Sequence, residues 1–388
     1  MKLHPKITDS LTLKFAELAR EKNNKGEQII SLGLGEPVFK TPDIIIKDTI
    51  KAINDGFTRY SNPSGLFGLR EAIVDKFKVD NNIITKPENI IVTSGAKQAM
   101  MLTLMSVLEP EDEVINFTPC YVSYVPQIKI AEPTATIHNI DLIKEDFSID
   151  WDLFSRLINK KTKVVIVNSP NNPTGKMLSK NDFLELTKRI EKFNCYLISD
   201  EIYEKLVFGS ITHYSPGSID NIKDRVITIN GYSKAFAMTG WRIGFLAAPE
   251  IVVRKIIKLQ QHINTNTVTF IQKGVYKAFK IKEYGLTRFN ESLVEKVDYM
   301  MNVFSKQPKL SFLSPDGGIF SFVNIKSTGL DSDSFATQLL NEYNVAVTPG
   351  IGFGNNWDDH VRLSMVINRE QFFMGIDLMN DFVKNKIK

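Results

Sequence analysis

Short apolar runs and helical patterns alternate along the first two thirds of the chain. Apolar residues recur at helical spacing in LREAIVDKF, KQAMMLTLMSVL, SKNDFLELTKRIEKF and PEIVVRKIIKLQQHI, and Ser179 opens the third pattern as an expected N-cap. Six runs rich in β-branched residues are apolar on both faces, as buried parallel strands are: 89–94, 112–117, 163–169, 195–200, 225–230 and 243–248. This alternation predicts an α/β protein with a mostly parallel sheet covered by helices. Ligands of such sheets bind beyond the carboxyl ends of the strands.

The pattern changes near residue 285. A long amphipathic helix is followed by the turn PDGG, a strand, a helix and the strand VRLSMVI. We therefore expect a separate, smaller α/β domain. The predicted division is an N-terminal arm with part of the small domain at 1–40, a large domain at 41–285, and the C-terminal small domain at 286–388.

Composition narrows the class of protein. Hydrophobic residues make up 43% and charged residues 24% of the 388 residues, which is typical of a soluble globular protein. The 48 basic and 44 acidic residues are scattered, so no nucleic-acid surface is expected. No segment approaches the ~20 apolar residues of a membrane span, and the N-terminus lacks the apolar core of a signal peptide.

The cysteine content points in the same direction. The only two cysteines, Cys120 and Cys195, have neither disulfide-framework nor metal-ligand spacing. We therefore expect no metal site, no membrane contact and a reducing, cytoplasmic location.

Several loops that follow predicted strands carry residues capable of chemistry. Ser94–Lys97 could hold a phosphate on free amides at a helix N-terminus, or could be a plain strand-to-helix turn. Asn172 lies in VNSPNNPTG, where it could be a turn residue, and Asp200 ends CYLISD, where it could be a helix N-cap. Lys234, in GYSKAFAMTGWRIG, could lie on a surface turn or act as a catalytic amine in apolar surroundings.

One ligand would use all of these groups together. A phosphate needs the amides of 94–97 and a cation, a protonated ring nitrogen needs a carboxylate, a ring oxygen needs donors, and an aldehyde needs an amine. Pyridoxal 5′-phosphate has all four features. The matching residues are the loop at 94–97 with Arg242, then Asp200, then Asn172 with Tyr203, and finally Lys234.

From LGLGEP near residue 32 to VRLSM near residue 361, the sequence resembles the class I aminotransferases of the aspartate/aromatic type. GYSKAFAMTGWRIG is similar to the lysine signature of that class, including the arginine eight positions after the lysine. The resemblance implies fold type I, with a large domain whose sheet lies between helices and a smaller α/β domain. It also implies an enzyme that depends on pyridoxal 5′-phosphate.

The resemblance assigns the cofactor contacts residue by residue. Lys234 would bond to the aldehyde and later move a proton, Asp200 would pair with the ring nitrogen, and Tyr203 and Asn172 would contact the ring oxygen. The phosphate would be held by Arg242 and by the loop residues Gly95, Ala96 and Lys97.

The resemblance also implies a homodimer with shared active sites. Tyr60, in RYSNPSG, matches the tyrosine that such enzymes offer to the phosphate in the neighbouring subunit.

The resemblance also implies that Arg362 binds the α-carboxylate of the substrate, a group that a planar guanidinium binds better than an ammonium does. Without the family, an arginine in such a strand would more often form a salt bridge at the rim. Gly35 would let the backbone approach the same carboxylate, although a simple turn glycine is the alternative. Asn172 and Tyr121 would also contact substrate. Tyr121 stands where many aspartate-specific members have a tryptophan stacked on the cofactor.

The expected activity is transfer of an amino group from an L-amino acid to a 2-oxo acid, with 2-oxoglutarate as the expected acceptor, by a ping-pong mechanism. No second arginine is in a recognisable place to bind a side-chain carboxylate, while aromatic residues and methionines are plentiful near the motifs. An aromatic or apolar donor is therefore favoured. Aspartate is the alternative donor, and a β-lyase or synthase of the same fold is a further alternative.

Overall fold

The computed structural model describes residues 9–280 and 285–387 of the chain. Its strands are β1 Ile30–Ser31, β2 Ile90–Thr93, β3 Glu113–Thr118, β4 Thr136–Asp141, β5 Thr162–Asn168, β6 Tyr196–Asp200, β7 Val226–Asn230, β8 Gly244–Ala247, β9 Ser311–Phe312, β10 Phe320–Asn324, β11 Val345–Ala346, β12 Thr348–Pro349 and β13 His360–Ser364. Its helices are α1 Leu11–Asn24, α2 Asp43–Asn54, α3 Phe67–Asn81, α4 Ala96–Val107, α5 Tyr124–Ala131, α6 Trp151–Leu157, α7 Lys180–Ile190, α8 Glu250–Ile263, α9 Thr269–Val275, α10 Leu286–Phe304, α11 Ser332–Tyr343 and α12 Arg369–Lys386. None of the described helices is long and apolar enough to cross a membrane.

The larger sheet has seven strands in the order β2-β8-β7-β6-β5-β3-β4. Neighbouring strands from β7 to β4 are parallel, and the central strands are buried along their length. Helices cover both faces because such strands have no polar face to leave in water. The predicted α/β class with a mostly parallel sheet is confirmed.

One of the six predicted strands runs the other way. We expected 243–248 to be parallel, but β8 is antiparallel to both β7 and β2. The segment between β7 and β8 contains turns and a short 3₁₀ helix at Thr239–Trp241. A parallel pair needs a crossover over one face of the sheet, usually a helix, and this segment turns back at the same edge.

Two further details concern the edge strand β4, which the sequence did not predict, and the N-cap at Ser179, which it did. The sequence gives no buried run for β4, because this edge strand is mostly exposed or half-buried. The expected N-cap at Ser179 is confirmed: its side chain accepts a hydrogen bond from the Asp182 amide, and the Asp182 carboxylate accepts one from the Ser179 amide. This reciprocal pairing satisfies two amides that the helix leaves free.

The C-terminal part forms a second sheet, antiparallel, in the order β12-β13-β10-β9. Its core includes the buried residues Leu293, Met300, Phe335 and Phe372 from the adjacent helices. Strand β1 pairs with β11, so Ile30 and Ser31 join this part of the structure. The predicted division at 1–40, 41–285 and 286–388 stays a proposal. Its last boundary lies beside residues 281–284, which are outside the described residues.

Candidate active site

A cleft of about 360 Å³ lies at the carboxyl edge of the seven-stranded sheet and extends to the second sheet. Ten of the twelve residues singled out from the sequence line it: Gly35, Ala96, Lys97, Tyr121, Asn172, Asp200, Tyr203, Lys234, Arg242 and Arg362. The other two are Gly95, which lies beneath Arg242, and Tyr60, which is 86% exposed.

Lys234 follows β7 and extends into this cleft. Its neighbours Tyr232 and Phe236 are buried in the core, which anchors the turn on both sides. The lysine is half-buried, and its Nζ donates a hydrogen bond to the Gly35 carbonyl at 2.7 Å. Burial, reinforced by the charge of Arg362, lowers the pKa of Lys234 to about 8. The uncharged amine is therefore far more accessible near neutral pH than in an ordinary lysine.

Asp200 ends β6 with its carboxylate buried. The Tyr124 hydroxyl donates to one carboxylate oxygen at 2.7 Å, and the Ile202 amide donates to the other at 3.3 Å. Burial raises the pKa of Asp200 to about 6 despite these two donors. No regular helix follows Asp200, because residues 202–205 form a turn, so the N-cap interpretation does not describe its role.

Gly95, Ala96 and Lys97 form the start of α4, where the first amides have no partner inside the helix. Gly95 has a φ of +85°, and a Cβ there would lie 2.7 Å from the Arg242 Nη2 atom. Arg242 is exposed, and its Nη1 donates to the Thr239 carbonyl at 2.9 Å. A guanidinium and free helix amides thus face the same end of the cleft, which suits an anion.

The antiparallel direction of β8 explains this juxtaposition. Thr93, at the carboxyl end of β2, pairs with Gly244, at the amino end of β8. Arg242 precedes β8 and Gly95 follows β2, so both lie at the same end of these two strands. A parallel strand in this position would have put Arg242 at the opposite edge.

Arg362 lies on β13 with its guanidinium buried. It donates to Asn172 Oδ1 at 3.0 Å and to the Gly33 carbonyl at 2.6 Å, and it stacks 4.0 Å from the centre of the Phe320 ring. Burial lowers the pKa of Arg362 to about 10. Within residues 9–280 and 285–387, no carboxylate forms an ion pair with Arg362, and its Nε has no hydrogen-bond partner. The rim salt bridge that the sequence left open is therefore not formed by the described residues.

Gly35 and Tyr203 complete this side of the cleft. A Cβ at Gly35 would collide with the Phe320 ring, so close packing excludes a side chain there. Tyr203 is buried, and burial raises the pKa of its hydroxyl, against the effects of the Arg362 charge and a hydrogen bond with Asn172. The hydroxyl therefore stays protonated at any ordinary pH.

Tyr121 and Lys97 form the opposite wall of the cleft. The Tyr121 ring is half-buried and meets Tyr124 edge-on, with 5.6 Å between ring centres. The Lys97 Nζ lies 5.5 Å from the centre of the Tyr121 ring. The wall therefore offers both an aromatic face and a positive charge.

Two features of the cleft were missed in the sequence. Tyr124 donates to the Asp200 carboxylate, but it is not singled out in the sequence. The contact spans 76 positions, so no local spacing indicates it. Thr12 and Leu13 of α1 also line the cleft. No local pattern indicates this, because α1 reaches the cleft only through tertiary packing.

Residues 27–376 match the family model described as aminotransferase class I and II. The chain is 35% identical to an aspartate aminotransferase of Bacillus subtilis, over 97% of each chain. It is 36% identical to aromatic-amino-acid aminotransferase 2 of Thermococcus litoralis, over 93% of each chain. Among solved structures, the aromatic aminotransferase of Pyrococcus horikoshii superposes with a TM-score of 0.89 at 34% identity, covering 95% of this chain and 99% of that one. The aspartate aminotransferase of Thermotoga maritima superposes with a TM-score of 0.91 at 32% identity, covering 98% of each.

Proposed function

Because the chain belongs to the class I and II aminotransferases, we propose that it transfers the amino group of an aromatic or apolar L-amino acid to a 2-oxo acid, with 2-oxoglutarate as the expected acceptor. Pyridoxal 5′-phosphate is the proposed cofactor. The substrate part of the proposal rests on Arg362. This buried cation has no carboxylate partner among the described residues and lies in the same cleft as Lys234. Such a charge is costly unless an anion such as a substrate carboxylate binds it.

The residues of the cleft fit the proposed cofactor. The free amides of Ala96 and Lys97, the guanidinium of Arg242 and the space above Gly95 suit a phosphate. The buried Asp200 suits a protonated ring nitrogen, and Tyr203 with Asn172 suits a ring oxygen. Lys234 has the lowered pKa that an amine needs to bond with an aldehyde.

The chain's own groups then have distinct tasks. When bound, pyridoxal phosphate supplies an electron-withdrawing ring that stabilises negative charge at the substrate α-carbon. Lys234 would hold the cofactor aldehyde and, once free of it, would act as the base that takes the substrate α-proton and then as the acid that gives it up, since its pKa of about 8 lies near neutral pH. Asp200 would keep the ring nitrogen protonated. Arg362 and Asn172 would orient the substrate through its α-carboxylate, and Tyr121 would offer its aromatic face to the ring.

A homodimer with shared active sites is part of the proposal. Tyr60 is 86% exposed and does not line the cleft of its own chain. An exposed aromatic ring of this kind is available to a second subunit, where it would reach the phosphate. Light scattering that gives the mass of one chain at micromolar concentration would contradict this part of the proposal.

The donor is proposed to be aromatic or apolar because Tyr121, Leu13, Leu34 and Phe320 line the cleft. A second candidate, aspartate, has a specific observation in its favour. The Lys97 ammonium lies at the cleft wall, so a lysine could attract a side-chain carboxylate where no arginine is available.

The test is a panel of amino-acid donors with 2-oxoglutarate as acceptor, together with the visible absorbance of the purified protein. We expect a yellow protein that bleaches with an amino acid and recovers with a 2-oxo acid, and a higher kcat/KM for phenylalanine or tyrosine than for aspartate. A large excess for aspartate would select the second candidate. Release of pyruvate and ammonia without an acceptor would indicate the lyase alternative instead.

A cytoplasmic location is also proposed. Cys120 and Cys195 are both buried and unpaired, which suits a reducing compartment. Burial raises the pKa of both thiols to about 11, so they are poorly reactive.

A further inference from the structure

A buried charged network lies behind the turn that carries Asp200 and Tyr203. The next residue after each of these, Glu201 and Glu204, is also buried but does not line the cleft. Both glutamates contact groups from distant parts of the chain, Asn81 at the end of α3 and His213 in the segment before β7. The turn therefore has one pair of residues in the cleft and one pair in this network.

Asn81 is the centre of the network. Its Nδ2 lies 3.0 Å from Glu201 Oε2, 2.7 Å from Glu204 Oε2 and 2.7 Å from Ser215 Oγ, and its Oδ1 accepts a hydrogen bond from Lys76 Nζ at 2.5 Å. One side chain of α3 thus connects both glutamates to the preceding helical turn. Because the glutamates are one residue from Asp200 and Tyr203, a movement of Asn81 would move the turn as well.

His213 forms the second anchor. Its Nε2 lies 3.0 Å from Glu201 Oε2, and the Ser199 hydroxyl donates to the other oxygen of Glu201 at 2.9 Å. The Nδ1 atom of His213 is buried without a hydrogen-bond partner among the described residues. A protonated His213 brings a second positive charge to the two glutamates, beside Lys76, and balances them.

A metal ion is the other cation that this cluster could hold. One ligand atom each from Glu201, Glu204 and His213 lies within 4.8 Å of the others. The Lys76 ammonium, however, is already paired with Glu204, and the Asn81 amide points its hydrogens at both carboxylates. Donors therefore occupy the positions where an ion would need free oxygens.

We propose that Asn81 and His213 are positioning residues which, through Glu201 and Glu204, hold the Asp200–Tyr203 turn in the geometry that binds the cofactor. The inference rests on the proposed function, because Asp200 and Tyr203 act on pyridoxal phosphate in that proposal. Neither positioning residue touches the cofactor, so both act through the turn.

The effect of His213 depends on pH. The hydrogen bond and charge of Glu201, together with the charge of Glu204, raise the pKa of His213 above its usual 6.5, against burial and the Lys76 charge. The charged contact with Glu201 is complete below that usual value and is lost as the pH rises through the raised pKa. The ionisable groups around His213 are Glu201, Glu204 and Lys76, with the ion pair of Lys205 and Asp80 (2.7 Å) beyond them.

The test compares His213→Gln with His138→Gln in their dissociation constants for pyridoxal phosphate. Glutamine keeps a donor but never carries the charge. His138 is the matched control, because its Nε2 lies 2.8 Å from Glu113 at the other end of the sheet. At pH 6 we expect His213→Gln to bind pyridoxal phosphate roughly 3- to 10-fold more weakly than the unchanged protein, and at pH 9 equally well. His138→Gln should match the unchanged protein at both pH values.

Asn81→Ala is the second variant, and it should weaken binding by roughly 10-fold or more at both pH values. Thermal unfolding of each variant separates loss of folding from loss of binding.

If Asp200→Asn weakens cofactor binding but His213→Gln does not at pH 6, the network has no positioning role and the proposed function stands. An equal loss at pH 6 and pH 9 would also overturn the role of the His213 charge. If the unchanged protein fails to bind pyridoxal phosphate, the proposed function itself is wrong. A stoichiometric divalent metal that His213→Gln abolishes would replace the network by a metal site.

Discussion

Replacing Asp200 by asparagine should make the cofactor-free protein more stable and the loaded enzyme far less active. Burial raises the pKa of Asp200 from its usual 3.8 to about 6. Between these two pH values the folded chain keeps the proton that the unfolded chain has lost, so the free energy of unfolding falls as the pH rises through this window. At about 1.4 kcal/mol per pKa unit, the ionised carboxylate costs about 3 kcal/mol above pH 6.

Asparagine removes this cost because its amide does not ionise, while it can still pair with the Tyr124 hydroxyl and the Ile202 amide. Urea unfolding of the cofactor-free variant and the unchanged protein should give similar stabilities at pH 4 and a gain of about 2 to 3 kcal/mol for the variant at pH 7.5. The loaded variant should lose at least about 100-fold in kcat, since a neutral amide holds a protonated ring nitrogen poorly. A variant that is no more stable at pH 7.5 than the unchanged protein would show that burial of the charge at Asp200 is not costly, and the reasoning would fail.

Three further substitutions test the other charged groups of the cleft. Lys234→Met should abolish turnover and stabilise the cofactor-free protein below pH 8, because the lysine, with its pKa lowered to about 8, is there charged at a cost in folding free energy. Since the side chain is only half-buried, we expect a gain of about 1 to 2 kcal/mol in urea unfolding at pH 7. No gain would contradict the lowered pKa. Arg362→Lys should lower kcat/KM for every amino-acid donor by about 10- to 100-fold through the loss of two-point carboxylate binding, and an unchanged kcat/KM would remove Arg362 from the substrate site. Lys97→Met should lower kcat/KM for aspartate by up to about 5-fold and change that for phenylalanine less than about 2-fold, because an exposed charge pair contributes about 1 kcal/mol at most. Equal losses for both donors would mean that Lys97 serves the cofactor rather than the substrate side chain.

Much of the fold and the candidate site was predictable because the signals are local. A buried strand followed by a turn identifies a strand end, and strand ends of a parallel sheet meet at one edge. Asn172, Asp200 and Lys234 each follow such a strand, and the structure brings all three into one cleft. The cap at Ser179 was predictable for the same reason, since its partner is only three residues away.

Other features depend on residues that are far apart in the chain. The pattern of 243–248 has no information on strand direction, which the short return from β7 to β8 decides, and with it the position of Arg242 beside Gly95. The polar character of Asn81 and Glu201 is visible in the sequence, but the contact between them spans 120 positions. Their pairing follows from where α3 packs against the sheet.

The amino-acid sequence by itself thus determined the buried strands, the amphipathic helices and the residue types at the ends of those strands, because hydrophobic periodicity and turn chemistry act over a few neighbouring residues. Only the tertiary structure decided which charges are buried and which have partners. Arg362 has a lowered pKa and no carboxylate partner among the described residues, while Glu204, paired with Lys76, has a pKa lowered to about 2. The physical reason is that burial and pairing, which set the energy of a charge, arise from contacts between elements that the chain brings together only when it folds.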